Sequence, residues 1–412
     1  MASTLVRAGA IVTCDTDAPQ NGITFEELGL IKDGAILIDD GVISAVGGDA
    51  SLCHGERAPQ CHGEPVEPPL SEVEGTHIEI VDLRDCVIVP GFVDAHTHPL
   101  FAGMRAPGKT MLDTVEKTRE ALKNPEAFWQ TVEARLKLML AHGTTTAEVK
   151  TGYALTKAGE LAMLDLIDAH NDEPGLPRLV ATFLGAHAVP SEFDDADAYV
   201  DYLIADVLPE ARAHGAVNAD IFCEPGFFSP AQTLRYLNAS RSQGLRLRAH
   251  CDEMSYSGAV ATAAQAGVDT VDHCNYIREE DVAAIVEREI VTVACPATTA
   301  YLDLPERAPV RRILERGGTV ALASDYNPGT SPCFNLQTVA NYARRLYGLS
   351  AAEALYGVTV ASAKSLRLPA GRLRAGDPAD FVALQIGAPE EFGWQFGGNL
   401  AAAVYRGGAR VI

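Results

Sequence analysis

Aromatic residues are scarce in this 412-residue chain, at 7% of the total with only two Trp. Ala, Val and Leu must therefore supply much of the core implied by a 47% hydrophobic content. Positive charge is also short: 33 Lys and Arg face 55 Asp and Glu, a net charge of -22. That excludes a nucleic-acid backbone or an anionic membrane surface as the main partner. An anionic small-molecule substrate would need its own local cation. No stretch approaches the ~18 consecutive apolar residues of a membrane span, and no apolar run follows a basic N-terminal region. The nine cysteines form no CxxC pair, which suits free thiols in a reducing cytoplasm. No GxGxxG or Walker-type loop is present.

What is there changes character along the chain. Residues 1–89 read as short strands with turns ("TLVRAGAIVTC", "GAILIDDGVISAVGG"), and "IEIVDLRDCVIVPG" adds two more. Asp49 to Thr76 is rich in Pro, Gly and Glu without a period and reads as an exposed insertion. From Pro90 to 369, eight strand-like runs alternate with helical stretches: "GFVDAHTH", "GTTTAEVKTGY", "LVATFLGAHAVP", "NADIFCEPG", "LRLRAHCDE", "TVDHCNYI", "VTVACPATT" and "TVALASDYNPG". Eight such units are the count of a (β/α)8 TIM-like barrel. Short strands return in 370–412, so the predicted fold is α/β, a barrel with a small composite β domain built from both terminal segments.

Barrel enzymes carry catalytic side chains at the C-terminal ends of strands, and polar residues gather there. His96 and His98 close the first strand, Lys150 and Tyr153 the second, and His187 the third. Glu224 closes the fourth, His250 and Glu253 the fifth, His273 the sixth and Asp325 the eighth, while the seventh ends only in Pro296 and Thr298. Side chains two apart in an extended strand face the same way, so His96 and His98 can share one ion. His250 and Asp325 are the natural third and fourth ligands. Imidazole and carboxylate suit one divalent metal ion, Zn or Fe. Glu253 either shuttles a proton between attacking water and a leaving nitrogen or orients a histidine ligand; the shuttle is the preferred reading. His273 is a second-metal ligand or an electrophilic helper. Lys150 and Glu224 are candidate bridges in a two-metal site, but one metal is preferred. Bland readings cover the rest: His142, His170 and His214 fall at helix C-termini, and His54, His62 and His77 lie in or beside the insertion.

From about Gly34 to the C-terminus, excluding the insertion, these motifs resemble the amidohydrolase superfamily, and within it the imidazolonepropionase family. HxH marks only the superfamily; "EVKTGY", "FLGAHAVP" and "NPGTSP" are more specific. The resemblance implies metal ligands His96, His98, His250 and Asp325, with Zn or Fe bound. It implies substrate contacts from Arg105, Tyr153, His187, Glu253, Asn327, Gly329 and Thr330, and a catalytic set of Glu253, His273 and Asp325. Related proteins are often dimers, so a homodimer is one assembly to expect. One departure stands out. Family members have a longer segment after the arginine, with a substrate-side tyrosine and a glycine-rich turn. Here "MRAPGKTMLDTVEKTREAL" runs almost directly to Thr118-Arg119. The loop "CPATTAYL" is also less apolar than in the family.

The expected reaction is metal-dependent opening of a cyclic amide, imidazolone-5-propanoate to N-formimino-L-glutamate in histidine degradation. Arg105 and Tyr153 would hold the propionate. A deaminase of a cyclic amidine or aminopyrimidine shares the HxH, HxxE, His and Asp pattern. A metal-dependent dipeptidase or N-acyl amino-acid hydrolase is a further alternative and would tend toward a bridged metal pair.

Overall fold

The computed structural model describes residues 3–53, 78–105 and 109–412. The segment read as an insertion lies, beyond Cys53, outside the described residues, as do 106–108 just after Arg105. Four strands precede the barrel: β1 (Ser3–Val12), β2 (Leu30–Asp39), β3 (Val42–Gly48) and β4 (Ile78–Pro90). The "IEIVDLRDCVIVP" run was expected to give two strands and gives one. The break in pattern is a register shift between Ala8 and Ala10 of β1, where the pair bulges without ending.

Eight barrel strands follow: β5 (Phe92–Asp94), β6 (Thr144–Lys150), β7 (Arg178–Ala186), β8 (Asn218–Cys223), β9 (Arg246–Cys251), β10 (Thr270–His273), β11 (Val291–Ala294) and β12 (Val320–Leu322). Neighbours in sequence are neighbours in space, all parallel. Nearly every strand residue is buried, as expected for strands covered on both faces. The barrel closes beyond the ends of β5 and β12. Asp325 N–H donates to His96 O at 3.0 Å and His98 N–H to Tyr326 O at 2.9 Å. The first strand is thus shorter than its sequence pattern, and both histidines sit on its extended continuation.

The intervening helices carry the signals read from the sequence. Pro125–Ala141 starts at an Asn124 cap with Pro at N1, and Pro230–Ser242 at a Ser229–Gln232 capping box. The tail supplies β13 (Phe381–Leu384), β14 (Ala401–Arg406) and β15 (Ala409–Arg410). These join the N-terminal strands in one sheet, ordered β15-β14-β13-β4-β1-β2-β3, where β4 pairs with β13 on one side and β1 on the other. Its own core centres on Ile11, Ile36, Ile88, Phe381 and Tyr405. No helix among the described residues is long and apolar enough to cross a membrane.

One polar side chain ties the terminal segment to the barrel. Buried Gln20 donates to Val320 O and accepts from Val320 N–H, both at 2.9 Å, in the manner of a strand partner for β12. Replacing Gln20 by Leu leaves both backbone groups unsatisfied. The expected loss is about 1–3 kcal/mol, read as a lower denaturation midpoint with unchanged denaturant slope.

Candidate active site

Three ligand atoms converge at the barrel's C-terminal mouth. His96 Nε2 and His98 Nε2 stand 3.1 Å apart. Asp325 Oδ1 lies 3.5 Å from the first and 3.3 Å from the second. Donors about 2.1 Å from one tetrahedral ion sit about 3.4 Å apart, so the set fits a divalent metal. His250 packs against His96 with ring centroids 4.5 Å apart. His96, His250 and His273 also offer nitrogens within 4.8 Å of one another. Burial, then Lys150 and neighbouring imidazoles, holds His96 well below its ordinary pKa, and His98 is lowered by burial and His250. Neutral imidazole is the form that ligates a metal.

The ring orientations come from beneath. His96 Nδ1–H donates to Asp272 at 2.6 Å and His250 Nδ1–H to Asp220 at 3.1 Å, which turns each Nε2 toward the mouth. The carboxylates are themselves held. Lys150 Nζ donates to Glu148 at 2.7 Å and Asp220 at 2.6 Å, and Arg248 reaches Asp272 at 3.1 Å and Ala95 O at 2.9 Å. Burial opposes the charge on Lys150, but Asp220 and Glu148 more than offset it and its pKa is raised. Glu148 and Lys150 thus form a buried ion pair within a larger network. Glu224 accepts from the backbone N–H of Glu253 at 2.9 Å and from Ser255 at 2.6 Å, shaping the loop after β9.

The second oxygen of Asp325 is engaged by a residue that the sequence analysis named only as the end of the seventh strand. Thr298 Oγ donates to Oδ2 at 2.7 Å, leaving Oδ1 for the histidines. His273 is buried and neither ring nitrogen has a hydrogen-bond partner. Its pKa falls to about 3 through burial, so it is neutral, and it lies 3.8 Å from Glu253. Burial, then the carboxylates of Asp325 and Glu224, pushes Glu253 well up. His273, Cys274 and Asp325 adopt φ of 69°, 58° and 50°, a region L-residues rarely enter. Such strain costs of order 1–3 kcal/mol each and concentrates at functional sites.

A cavity of about 180 Å³ opens above these groups. Arg105, Tyr153, His187, Asn327 and Thr330 line it, as the sequence suggested, together with Met111, Phe222, Phe227 and Met254, which it did not mark. Among the described residues no carboxylate pairs with Arg105, and its Nε is buried without a partner. Tyr153 lines the same cavity within electrostatic reach of Arg105, whose charge opposes the upward push that burial gives the Tyr153 hydroxyl. Gly329 lies directly under it: a Cβ there would come 2.3 Å from Arg105 Nη1. Asn327 lines the cavity but its amide is engaged within the loop, accepting from the N–H of Gly329 at 2.8 Å and Thr330 at 2.7 Å. His142, His170 and His214 lie elsewhere, at helix ends or on the surface.

Comparison with known families matches residues 87–409 to the Amidohydrolase family. The chain belongs to this family. Among curated relatives, it is 40% identical to the imidazolonepropionase of Rubrobacter xylanophilus, covering 84% of this chain and 87% of that protein. It is 34% identical to the imidazolonepropionase of Herpetosiphon aurantiacus over 99% and 96% of the two lengths. Among solved structures, E. coli guanine deaminase superposes with a TM-score of 0.74 at 20% identity, covering 100% of this chain and 99% of the other, which is a likeness of fold. In this amidohydrolase, Asp220, Asp272, Arg248 and Thr298 escaped the motif reading. A signal for the first three was present: each is a charged residue in the interior of a buried barrel strand.

Replacing Asp272 by Asn removes the charge that orients His96. Metal affinity is expected to fall about 10–100-fold, measured as residual metal after dialysis against graded chelator.

Proposed function

We propose that the chain hydrolyses the ring of imidazolone-5-propanoate to N-formimino-L-glutamate, with a single divalent ion held by His96, His98, His250 and Asp325. The observation that carries the reading is Arg105: an arginine with no carboxylate partner among the described residues, in a protein of net charge -22, facing the same cavity as the candidate ligand cluster. An acidic substrate is the missing counter-ion.

The partners of the candidate bridging groups support one ion. Lys150 and Glu224, the candidate bridges, already have other partners. The identity of the ion, zinc or iron, is open to either by ligand chemistry.

When bound, the ion supplies a Lewis acid and lowers the pKa of water toward ~7. Glu253 takes a proton from the attacking water and returns it to the ring nitrogen as the C–N bond breaks. The two cavity histidines then divide their work by tautomer. Neutral His187 donates its Nδ1–H to Gly152 O at 3.0 Å, so its Nε2 is an acceptor and suits a ring N–H of the substrate. His273 has no such bond and keeps an N–H for the carbonyl oxygen. Arg105, with Tyr153 beside it, holds the propionate. The buried thiols, with no disulfide among the described residues, support a reducing cytoplasm as the setting.

Supplied with zinc or iron, the protein is expected to open imidazolone-5-propanoate without releasing ammonia; a fully loaded protein that leaves it intact would sink the substrate assignment, and ammonia release would favour a deaminase. Glu253→Gln should lower kcat about 10²–10⁴-fold while the metal content stays at the wild-type level. Arg105→Met should reduce kcat/KM about 10–100-fold, the loss of a charged hydrogen bond, and Gly329→Ala should raise KM by displacing the guanidinium. All three are read by steady-state kinetics with metal analysis of the same samples.

A further inference from the structure

One buried carboxylate takes no part in this chemistry yet touches the loop that carries the substrate side. After β6 the chain turns through 151–156 into the helix Lys157–His170. Gly152 has a φ of 106°, which glycine adopts readily, but Leu155 has a φ of 52°, a region that disfavours a leucine, so the loop is held there by its surroundings. Glu160, fully buried in the first turn of that helix, accepts three backbone N–H groups from it. Its Oε2 takes Gly152 at 2.9 Å, and its Oε1 takes Ala154 at 2.9 Å and Leu155 at 2.7 Å.

Each residue so fixed has a consequence in the cavity. Tyr153 lies between two of the anchored amides, buried, and lines the cavity together with Arg105. Gly152 O is the acceptor that sets the His187 tautomer. Gly152 also brings the backbone close: a Cβ there would lie 2.7 Å from Leu184 O and 3.0 Å from His187 Nδ1. Ala154 O receives Arg119 Nε at 2.6 Å, tying in the helix Met111–Ala121, whose Met111 lines the cavity. The ligand cluster is supported separately, through Asp220, Asp272 and Thr298.

We propose that Glu160 is a positioning residue for specificity: it fixes Tyr153 in the cavity that Arg105 also lines, so that the two together hold the substrate's carboxylate. The inference rests on the substrate reading above. It predicts a division of labour in which Glu160 governs recognition of the acid and leaves the hydrolytic end untouched.

The test is Glu160→Gln in the metal-loaded full chain, assayed on imidazolone-5-propanoate and on its methyl ester. Gln offers one acceptor oxygen and presents an amide N–H to a donor. Expected for the acid is a KM raised about tenfold or more, with kcat within about threefold and metal content unchanged. For the ester, which keeps the ring contact to His187 but offers Arg105 no carboxylate, the loss should be at least about threefold smaller than for the acid. On a Tyr153→Phe background the substitution should add less than about threefold, because both changes act on one contact. Equal losses on acid and ester, a fall in kcat with KM unchanged, or full additivity with Tyr153→Phe would each overturn the proposal. Glu160→Asp, which keeps the charge and withdraws the oxygens by one methylene, reads the same axis if the Gln variant does not fold. Wild-type protein inert toward the acid removes the substrate reading; active wild type with an unaltered KM in the variant removes only the role of Glu160.

Discussion

Lys150 and Arg248 carry positive charge where no water reaches. Either one alone would cost several kcal/mol to keep in a dry interior. Each is compensated by carboxylates that have a second use. Asp220 binds Lys150 and His250; Asp272 binds Arg248 and His96. Burial pushes Asp220 up, but His250 and Lys150 more than offset it and hold it well below the usual carboxylate range. The imidazoles are therefore not placed by their own strands alone. They hang from a salt-bridged lattice that spans β6, β8, β9 and β10, and removing one member unsettles partners on several strands.

Strain and support meet at the same residues. His273 and Asp325 sit at left-handed backbone angles just where the barrel strands end. Asp325 is held in place by the barrel seam, its N–H on His96 O, and by Thr298. The strands β5 and β12 on either side of that seam are only three residues long. Cutting regular pairing short there frees the chain to turn His96, His98 and Asp325 toward one another while their backbones still bond.

Much of this was legible in the sequence, because it rests on local patterns. The eight strands showed as apolar runs, the helices by their caps, and the candidate ligand histidines by strand-end position and spacing. The imidazolonepropionase resemblance agreed with both the family match and the curated relatives. Other features depended on distance across the barrel. Nothing local says that Asp220 meets Lys150, 70 residues away, or that Thr298 reaches Asp325. Glu160 reads as an ordinary acidic residue in a first helical turn, since its partners are backbone amides that any sequence would supply. Asn327 illustrates the reverse: a motif position that lines the cavity, with an amide committed to shaping its own loop.

The composite sheet links the two terminal segments in time as well as in space. β4 pairs with β13, Ile88 opposite Ala383, so nearly three hundred residues separate the partners. At a synthesis rate of about 5–20 residues per second, that edge of β4 waits roughly 15–60 s on the ribosome before its partner emerges. Through that interval it is an unpaired strand edge beside a barrel still being assembled, open to association with other nascent chains. The wide separation of partners that gives the finished protein one sheet from both termini makes its synthesis the period of greatest exposure to misassembly.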